Sequence, residues 1–271
     1  MTFAVVSASA QDLDSIRADL ASGNIEIKRN ALFQIKNLRT ETASRTAVPA
    51  LSDSEELVRA TAATAVIFLP KIEAAKVLLP LLDDKTAFVR SEAAFALGET
   101  GDPSAVTRLI LSLQKDSADD VRSASAIALG KIGDIAAVDA LAAIFKKKPS
   151  DDNEFLRRSA ARSIGQIAQI VKSGKKTVVT PQNFLPAKYK ESPSGAPLTN
   201  SFPAMRPVLG VLANVLKNHK EADDTRREAA FALGAVGDES TISLLRSFLN
   251  SPDVYLAEIC REALIKIDNP Q

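Results

Sequence analysis

Five arginines recur along the sequence at similar spacing, and each follows an acidic residue by a few positions. The arginines are Arg59, Arg90, Arg122, Arg157 and Arg226, and the acids are Asp53, Asp84, Asp120, Asp152 and Asp224. A row of guanidinium groups could bind phosphates, whereas an arginine beside a carboxylate forms an ion pair within the protein. Because each arginine comes with its own acid, the pattern favours ion pairs and helix caps.

Other reactive side chains are few. The 271 residues include one histidine, His219, and one cysteine, Cys260. These counts exclude an internal disulfide, a site of several cysteines and a site of paired histidines. Cys260 lies in an apolar helical setting without a nearby histidine, so we expect it to be buried and not nucleophilic. We predict a non-enzymatic chain with no catalytic residue, no metal and no cofactor.

The charge balance bears on the kind of partner. Lys and Arg number 34 and Asp and Glu number 33, which gives a formal net charge of +1. This balance provides no general attraction to nucleic acid or to an anionic membrane. Nucleic acid is therefore the less favoured partner, although Arg157, Arg158 and Arg162 could form a local basic patch. No apolar run approaches the roughly 20 residues of a membrane span, and none is predicted.

Self-similar segments surround the arginines. Residues 89–102 read VRSEAAFALGETGD, and related segments begin at residues 121 and 225, with weaker copies at 27, 58, 156 and 256. The second residues of the seven copies are separated by 31, 31, 32, 35, 69 and 31 positions. Nearly constant spacing with one doubled interval indicates a repeat protein.

Each repeat is predicted to form two helices. In the third repeat, residues 75–82 form the first helix and residues 83–86 form a polar turn. The second helix carries an apolar stripe of small residues at spacings of three and four, namely Val89, Ala93, Ala96 and Leu97. We expect Gly98 and Gly101 to end this helix. We also expect Asp102, Asp134 and Asp238 to cap the helices that follow.

The pattern V-R-x-x-A-x-x-A-L-G-x-x-G-D resembles the short HEAT-like repeats of the phycobilisome-lyase type, over roughly residues 12–170 and 204–268. The resemblance implies an all-α fold, a right-handed α-solenoid of about seven short helical hairpins whose second helices line the concave face. A hairpin of this size cannot bury its apolar stripe alone, so stacking must complete the core. We expect all repeats to form one continuous domain.

The resemblance also implies alternative functions, because some proteins with HEAT-like repeats are enzymes. It suggests a bilin lyase-like role, or a chromophore-handling or chaperone subunit, as an alternative function. HEAT-like DNA-repair glycosylases suggest nucleic-acid binding as a further alternative. Deoxyhypusine hydroxylases also use HEAT-like repeats, which implies repeated His-Glu iron ligands. The sequence contains no His-Glu pair, so that enzyme is not expected.

Two segments lie outside the repeats. Residues 1–11 form an N-terminal extension in which Ala8-Ser9-Ala10 resembles a signal-peptidase site without the rest of a signal peptide. A cytoplasmic protein is expected as the sequence stands. The alternative is an exported or periplasmic protein, cleaved after Ala10, whose true start lies upstream.

The doubled interval contains a second extra segment, residues 171–203, which we predict to be a loop rich in proline and lysine. It is either a tolerated insertion or a functional loop on a rigid scaffold. If the loop is functional, it packs along the repeats, presents a segment that binds a partner, or occupies the concave groove. Phe184 and Tyr189 are its candidate contact residues.

The leading functional hypothesis is a scaffold that binds a protein or peptide on its concave face, through the loop, or through both. Residues beside the apolar stripe should face this groove. The candidates on the second helices are Phe95, Ile127, Arg158, Arg162, Arg227 and Phe231. The three apolar members would form a broken strip for a partner, or else fill contacts between repeats.

Overall fold

The computed structural model describes residues 10–174, 181, 186 and 197–268. Every regular element in this part of the chain is helical, which confirms the all-α prediction. The α-helices are α1 (Ala10–Leu20), α2 (Ile25–Leu38), α3 (Glu41–Ala47), α4 (Glu56–Ala65), α5 (Lys71–Leu78), α6 (Ala87–Thr100), α7 (Val106–Lys115), α8 (Asp119–Ile132), α9 (Val138–Ala142), α10 (Glu154–Ser173), α11 (Leu198–Ser201), α12 (Arg206–Lys217), α13 (Asp223–Val236), α14 (Ile242–Ser247) and α15 (Val254–Asp268).

Fourteen of these helices form seven hairpins, each with a first and a second helix. The second helices, each with one copy of the repeat, are α2, α4, α6, α8, α10, α13 and α15. Several first helices continue into or begin with a 3₁₀ turn, as α5 does in Leu79–Asp83. The aspartates expected to cap first helices do so: the Asp102 carboxylate accepts the Ser104 N–H at 2.9 Å. Asp134 and Asp238 make the same bond.

The chain divides into two compact units, Met1–Ala128 and Leu129–Gln271, with the division inside α8. In the first unit α2 packs on α4, and α4 packs on α6. In the second unit α10 packs on α13, and α13 packs on α15. Each unit is therefore a stack of helical hairpins around its own apolar core. The continuous domain and the right-handed turn stay predictions.

Glycines inside the second helices allow close helix packing. Gly98 lies within α6, where a Cβ would stand 2.7 Å from the Ala128 Cα. Gly234 lies within α13, where a Cβ would stand 2.7 Å from the Ala263 Cα. The expectation that Gly98 ends the helix is therefore wrong. Gly101 ends it, with a φ of 64° in the left-handed region that glycine adopts without steric cost.

The doubled interval is an insertion between adjacent hairpins. Helix α10 packs directly on α13 although the two copies of the repeat are 69 positions apart. Within the predicted loop, α10 continues to Ser173 and α11 forms near the other end. Residues 175–180, 182–185 and 187–196 lie outside the described residues, as do residues 1–9 and 269–271. No described helix is long and apolar enough to cross a bilayer.

Candidate functional site

Repeat positions are numbered from the basic residue of each copy, which is position 0. In the first three repeats this residue bonds to an aspartate of the following hairpin, 25 or 26 residues later. We call these contacts the inter-repeat ladder. Its rungs are Lys28–Asp53, Arg59–Asp84 and Arg90–Asp116, with nitrogen–oxygen distances of 2.6, 2.7 and 2.7 Å. The two arginine rungs are bidentate, which is the strong geometry for a guanidinium and a carboxylate.

Each rung also fixes the start of a second helix. Asp84 accepts the Thr86 N–H at 2.9 Å while Arg59 holds the same carboxylate. Arg59 in turn donates to the Asp53 carbonyl at 2.8 Å, just before its own helix. The hydrogen bonds from arginine and backbone outweigh the cost of burial and hold the Asp84 pKa below its usual value. The ladder therefore ties each helix start to the next.

Two arginines of the series depart from the ladder. Arg122 bonds within its own hairpin, to Asp119 at 2.7 Å and to the Leu113 carbonyl at 3.2 Å. Arg226 does likewise, with the Leu216 carbonyl at 3.1 Å and Asp223 at 3.3 Å.

One pair of the second unit bridges the insertion. Arg157 Nε donates to Glu221 at 2.8 Å, and the two side chains are 3% and 2% exposed. Arg157 also donates to the Lys147 carbonyl at 2.8 Å. All five arginines of the series thus bond to carboxylates or carbonyls of the protein, which confirms the structural interpretation. The expected partners were wrong: the acids belong mostly to the next hairpin, and Glu221 stands in place of Asp152.

The candidate arginines of the second unit are bound to neighbouring acids. Each one lies on a second helix and reaches an acid on the next second helix or just before it. The pairs are Arg158–Asp224 at 3.1 Å, Arg162–Glu228 at 2.9 Å and Arg227–Asp253 at 2.8 Å. In these contacts each guanidinium charge is balanced by the carboxylate that it bonds to. They weaken the predicted basic patch, because a paired guanidinium attracts phosphate less than a free one does.

Phe231 does not lie on the surface. Its side chain is 3% exposed, and its ring contacts Gly165 where a Cβ would clash. Glycine at position +8 of one second helix therefore makes room for the aromatic ring at position +5 of the next. The prediction of an exposed strip through Phe231 is wrong, and the inter-repeat alternative describes this residue. Gly165 was the sequence signal for burial.

Phe95 occupies position +5 as Phe231 does, yet it is 39% exposed. In the preceding repeat the residue at position +8 is Ile67, which lies in the turn after α4 ends at Ala65, so no helical glycine stands there. Ile127, at position +5 of the fourth repeat, is half-buried. Phe184 and Tyr189 lie outside the described residues.

Further exposed apolar side chains lie on the second helices of the first unit beside Phe95. Phe33 also occupies position +5, while Leu57 and Phe88 occupy position −2. Phe88 and Phe95 are seven residues apart, two helical turns along one face of α6. We call Phe33, Leu57, Phe88 and Phe95 the first-unit face. Sequence reasoning missed three of the four, although their recurrence at two repeat positions was visible.

The described part of the chain contains few side chains that could bind a metal ion or act as a nucleophile or base. No cluster of three or more His, Cys, Asp or Glu side chains there could hold a metal ion. Cys260 is buried, as expected, and burial raises the pKa of its thiol to about 12. Burial, with the Lys266 charge as a smaller cause, lowers the pKa of Lys172 to about 8.

These features define an all-α protein of stacked helical hairpins whose recurrent polar residues hold one hairpin to the next. A family model described as HEAT repeats matches residues 13–94 and 76–165, which together exceed half of the chain. The chain belongs to the HEAT repeat family. A second model, described as PBS lyase HEAT-like repeat, matches residues 225–251.

Curated proteins and solved structures extend the comparison. The chain is similar to deoxyhypusine hydroxylase-B from Oryza sativa subsp. japonica, 39% identical over 57 residues, which are 21% of this chain and 19% of that protein. It is also similar to deoxyhypusine hydroxylase from Bos taurus, 33% identical over 63 residues, which are 23% and 21% of the two chains. These matches span about a fifth of the curated relatives.

An engineered protein has a TM-score of 0.58 at 18% identity, over 96% of this chain and 69% of its own. The CpcE–CpcF complex of phycocyanin lyase from Nostoc has a TM-score of 0.49 at 20% identity, over 98% of both chains. At such identities the likeness to the engineered protein concerns the fold alone. The absence of enzymatic activity, the bilin-related alternative, the nucleic-acid alternative and the compartment stay predictions.

Proposed function

We propose that the chain is a non-enzymatic scaffold that binds a protein or peptide partner through the first-unit face. The observation that carries this proposal is the set of exposed aromatic and aliphatic side chains on three successive second helices, α2, α4 and α6. Neighbouring apolar groups in water gain free energy when a partner covers them, and aromatic residues commonly dominate such interfaces.

The contrast between the two units supports the choice of face. In the second unit, arginines of the second helices bond across to acids, so their charges are used within the protein. In the first unit, position +5 carries Phe33, Thr64 and Phe95 where the fifth repeat has Arg162, so no arginine at that position joins α2, α4 and α6. A partner can therefore dock on the first-unit face without breaking such ion pairs.

The test is affinity capture from the native host followed by mass spectrometry. The full chain is compared with Phe88→Glu/Phe95→Glu, which places two charges on the first-unit face. The matched control is Ile72→Glu/Leu111→Glu, which changes two exposed apolar residues on first helices of the same unit. We expect one dominant partner to be captured by the full chain and the control, and lost with the face variant. Equal capture by all three proteins would refute the proposal.

A further inference from the structure

The seventh hairpin has a serine in the place where the inter-repeat ladder has an aspartate. Each ladder aspartate stands six residues before position 0 of its own copy and accepts a backbone N–H from two residues later, as Asp84 does from Thr86. The same place in the seventh copy is Ser251, whose hydroxyl oxygen accepts the Asp253 N–H at 3.2 Å. Ser251 therefore makes the backbone bond of a ladder aspartate without carrying its charge.

Arg226 consequently has no acid at the ladder place of the following hairpin. The ladder acids stand 25 or 26 positions after their basic residue, and those positions after Arg226 hold Ser251 and Pro252. The next acid along the chain, Asp253, is held by Arg227 through two hydrogen bonds of 2.8 and 3.0 Å. Among the described residues, no carboxylate of the seventh hairpin bonds to Arg226.

The guanidinium of Arg226 is buried but only partly bonded. The residue is 8% exposed. Its Nε donates to the Leu216 carbonyl at 3.1 Å, and its Nη1 donates to Asp223 at 3.3 Å, an acid whose side chain is 65% exposed. In the rungs of Arg59 and Arg90, Nη2 donates to the ladder aspartate. The Nη2 of Arg226 forms no hydrogen bond with any described residue, so one donor group of a buried cation is unused.

Arg226 and Ser251 line the same cleft, which has a volume of about 720 Å³. It lies at the junction of the sixth and seventh hairpins, within the second unit. The Ser251 hydroxyl can still donate its hydrogen, because it accepts the backbone bond with its oxygen. The His219 imidazole and the Asn250 amide line the cleft as further donors, and both residues are exposed. These groups together suit an anion.

The cleft also has exposed apolar walls. Val254 and Tyr255 line it at the start of α15, with 63% and 54% of their surface exposed. Covering such side chains gains free energy from the removal of apolar surface from water. A ligand that fits both parts of the cleft therefore has an anionic group beside an apolar one.

We propose that this cleft binds an acidic side chain of a partner protein, whose carboxylate takes the place at Arg226 that the ladder gives to an aspartate. The carboxylate accepts hydrogen bonds from Arg226 Nη2 and from the Ser251 hydroxyl, and a neighbouring apolar residue packs on Val254 and Tyr255. Hydrogen bonds between a guanidinium and a carboxylate are strong because both groups are charged. The site lies in the second unit and goes beyond the first-unit face of the proposed function.

The experiment uses the full chain and an array of twelve-residue peptides. Each peptide has a central Asp, Glu, Asn, Gln or Lys, with varied flanks of Leu, Val, Ala and Ser. We expect peptides with an acid beside an apolar residue to dominate. Fluorescence anisotropy should show about tenfold weaker binding when Asn replaces Asp or Gln replaces Glu, because the amide loses a hydrogen bond between charged groups. No preference for the acids over their amides would overturn the inference.

Three variants locate the site. Ser251→Asp supplies the missing ladder acid within the chain, so it should weaken the acidic peptides by about tenfold. Ser251→Asn has the same shape as that variant without the charge; it is the matched control and should bind as the unchanged chain does. Arg226→Gln removes the guanidinium and should weaken the peptides as strongly as Ser251→Asp. Thermal unfolding confirms that each variant is folded. Identical binding by Ser251→Asp and Ser251→Asn would show that the carboxylate does not bind at Arg226, and the inference would be wrong.

Discussion

The side chain of Asp116, a member of the ladder, bonds both to the preceding hairpin and to its own. Its carboxylate accepts two hydrogen bonds from Arg90 of the preceding hairpin, both at 2.7 Å. It also accepts the Ala118 N–H at 2.9 Å, at the start of its own second helix. The hydrogen bond from Arg90 is the main cause that lowers the pKa of Asp116. A single carboxylate therefore joins two hairpins and begins a helix.

We expect Asp116→Asn to lower the free energy of unfolding by about 2 kcal/mol at pH 7, since hydrogen bonds to charged groups contribute on that order. The folded-state pKa of Asp116 lies below the unfolded value, so its stabilising effect exists above the unfolded pKa. It is lost as the pH falls through the folded pKa. The difference between variant and unchanged chain should therefore shrink as the pH falls below about 5.

Urea unfolding at several pH values measures this difference. The control is Asp14→Asn, which breaks an exposed pair with Arg17 and should change stability by less than about 1 kcal/mol. A loss of stability that is the same at pH 7 and pH 3 would show that the charge of Asp116 is not the cause.

At the scale of single residues, the sequence predicted the types of bond more accurately than it predicted which residues form each bond. Paired arginines and acids indicated ion pairs, and the ladder consists of them. Asp53 and Asp84 were assigned to the arginines that follow them, whereas they bond to Lys28 and Arg59 of the preceding hairpin. A spacing along one chain does not reveal which neighbouring hairpin a side chain will meet, because that depends on how the hairpins stack.

Helix packing explains why two glycines three residues apart in α6 act differently. Gly98 faces the backbone of the neighbouring helix, while Gly101 adopts the left-handed conformation at the helix end. The sequence predicted both helices of each hairpin from their apolar periodicity. It could not separate the two glycines, since close packing and helix termination both favour the smallest residue.

Two glycines in helix interiors should respond in opposite ways to alanine. Gly98→Ala should destabilise the protein by about 1–3 kcal/mol, because the new Cβ would overlap the backbone of Ala128. Gly210, inside α12, has open space within 4 Å of the point where a Cβ would stand, so Gly210→Ala should stabilise by roughly 0.5–1 kcal/mol through helix propensity. Thermal and urea unfolding of both variants give the signs. Stabilisation by both substitutions would contradict the packing role of Gly98.

At the scale of the whole molecule, the seven hairpins follow from the spacing of the repeats, and the family match agrees with that interpretation. The surface that remains exposed was harder to predict. Phe95 and Phe231 stand in identical segments, yet one is exposed and the other buried, and the buried ring fits against Gly165 of the preceding repeat. The burial of Phe231 thus depends on a residue in another hairpin, 66 positions away.

The insertion should be dispensable for folding. Helices α10 and α13 contact each other directly, and Arg157 reaches Glu221. Replacing residues 175–196 by a flexible linker of half the length should change the free energy of unfolding by only about 0.6 kcal/mol, since closure entropy varies slowly with loop length. Calorimetry measures the change, and Arg157→Ala is the comparison, with an expected loss of about 3–5 kcal/mol. A loss of that size on shortening the segment would show that it stabilises the fold.

The inter-repeat ladder makes the first unit modular, because its hairpins carry complementary charged residues at equivalent places. Lys28 bonds to Asp53, Arg59 to Asp84 and Arg90 to Asp116, so each hairpin offers a cation forward and an acid backward. Excising the 31 residues from Arg59 to Val89 would bring Arg90 to the place of Arg59, with Asp116 26 residues after it where Asp84 had stood 25 residues after Arg59. The two rungs that remain, Lys28–Asp53 and Arg90–Asp116, would keep both of their members. A gene encoding such a chain can gain or lose a whole repeat by recombination without breaking a rung of the inter-repeat ladder at the junction.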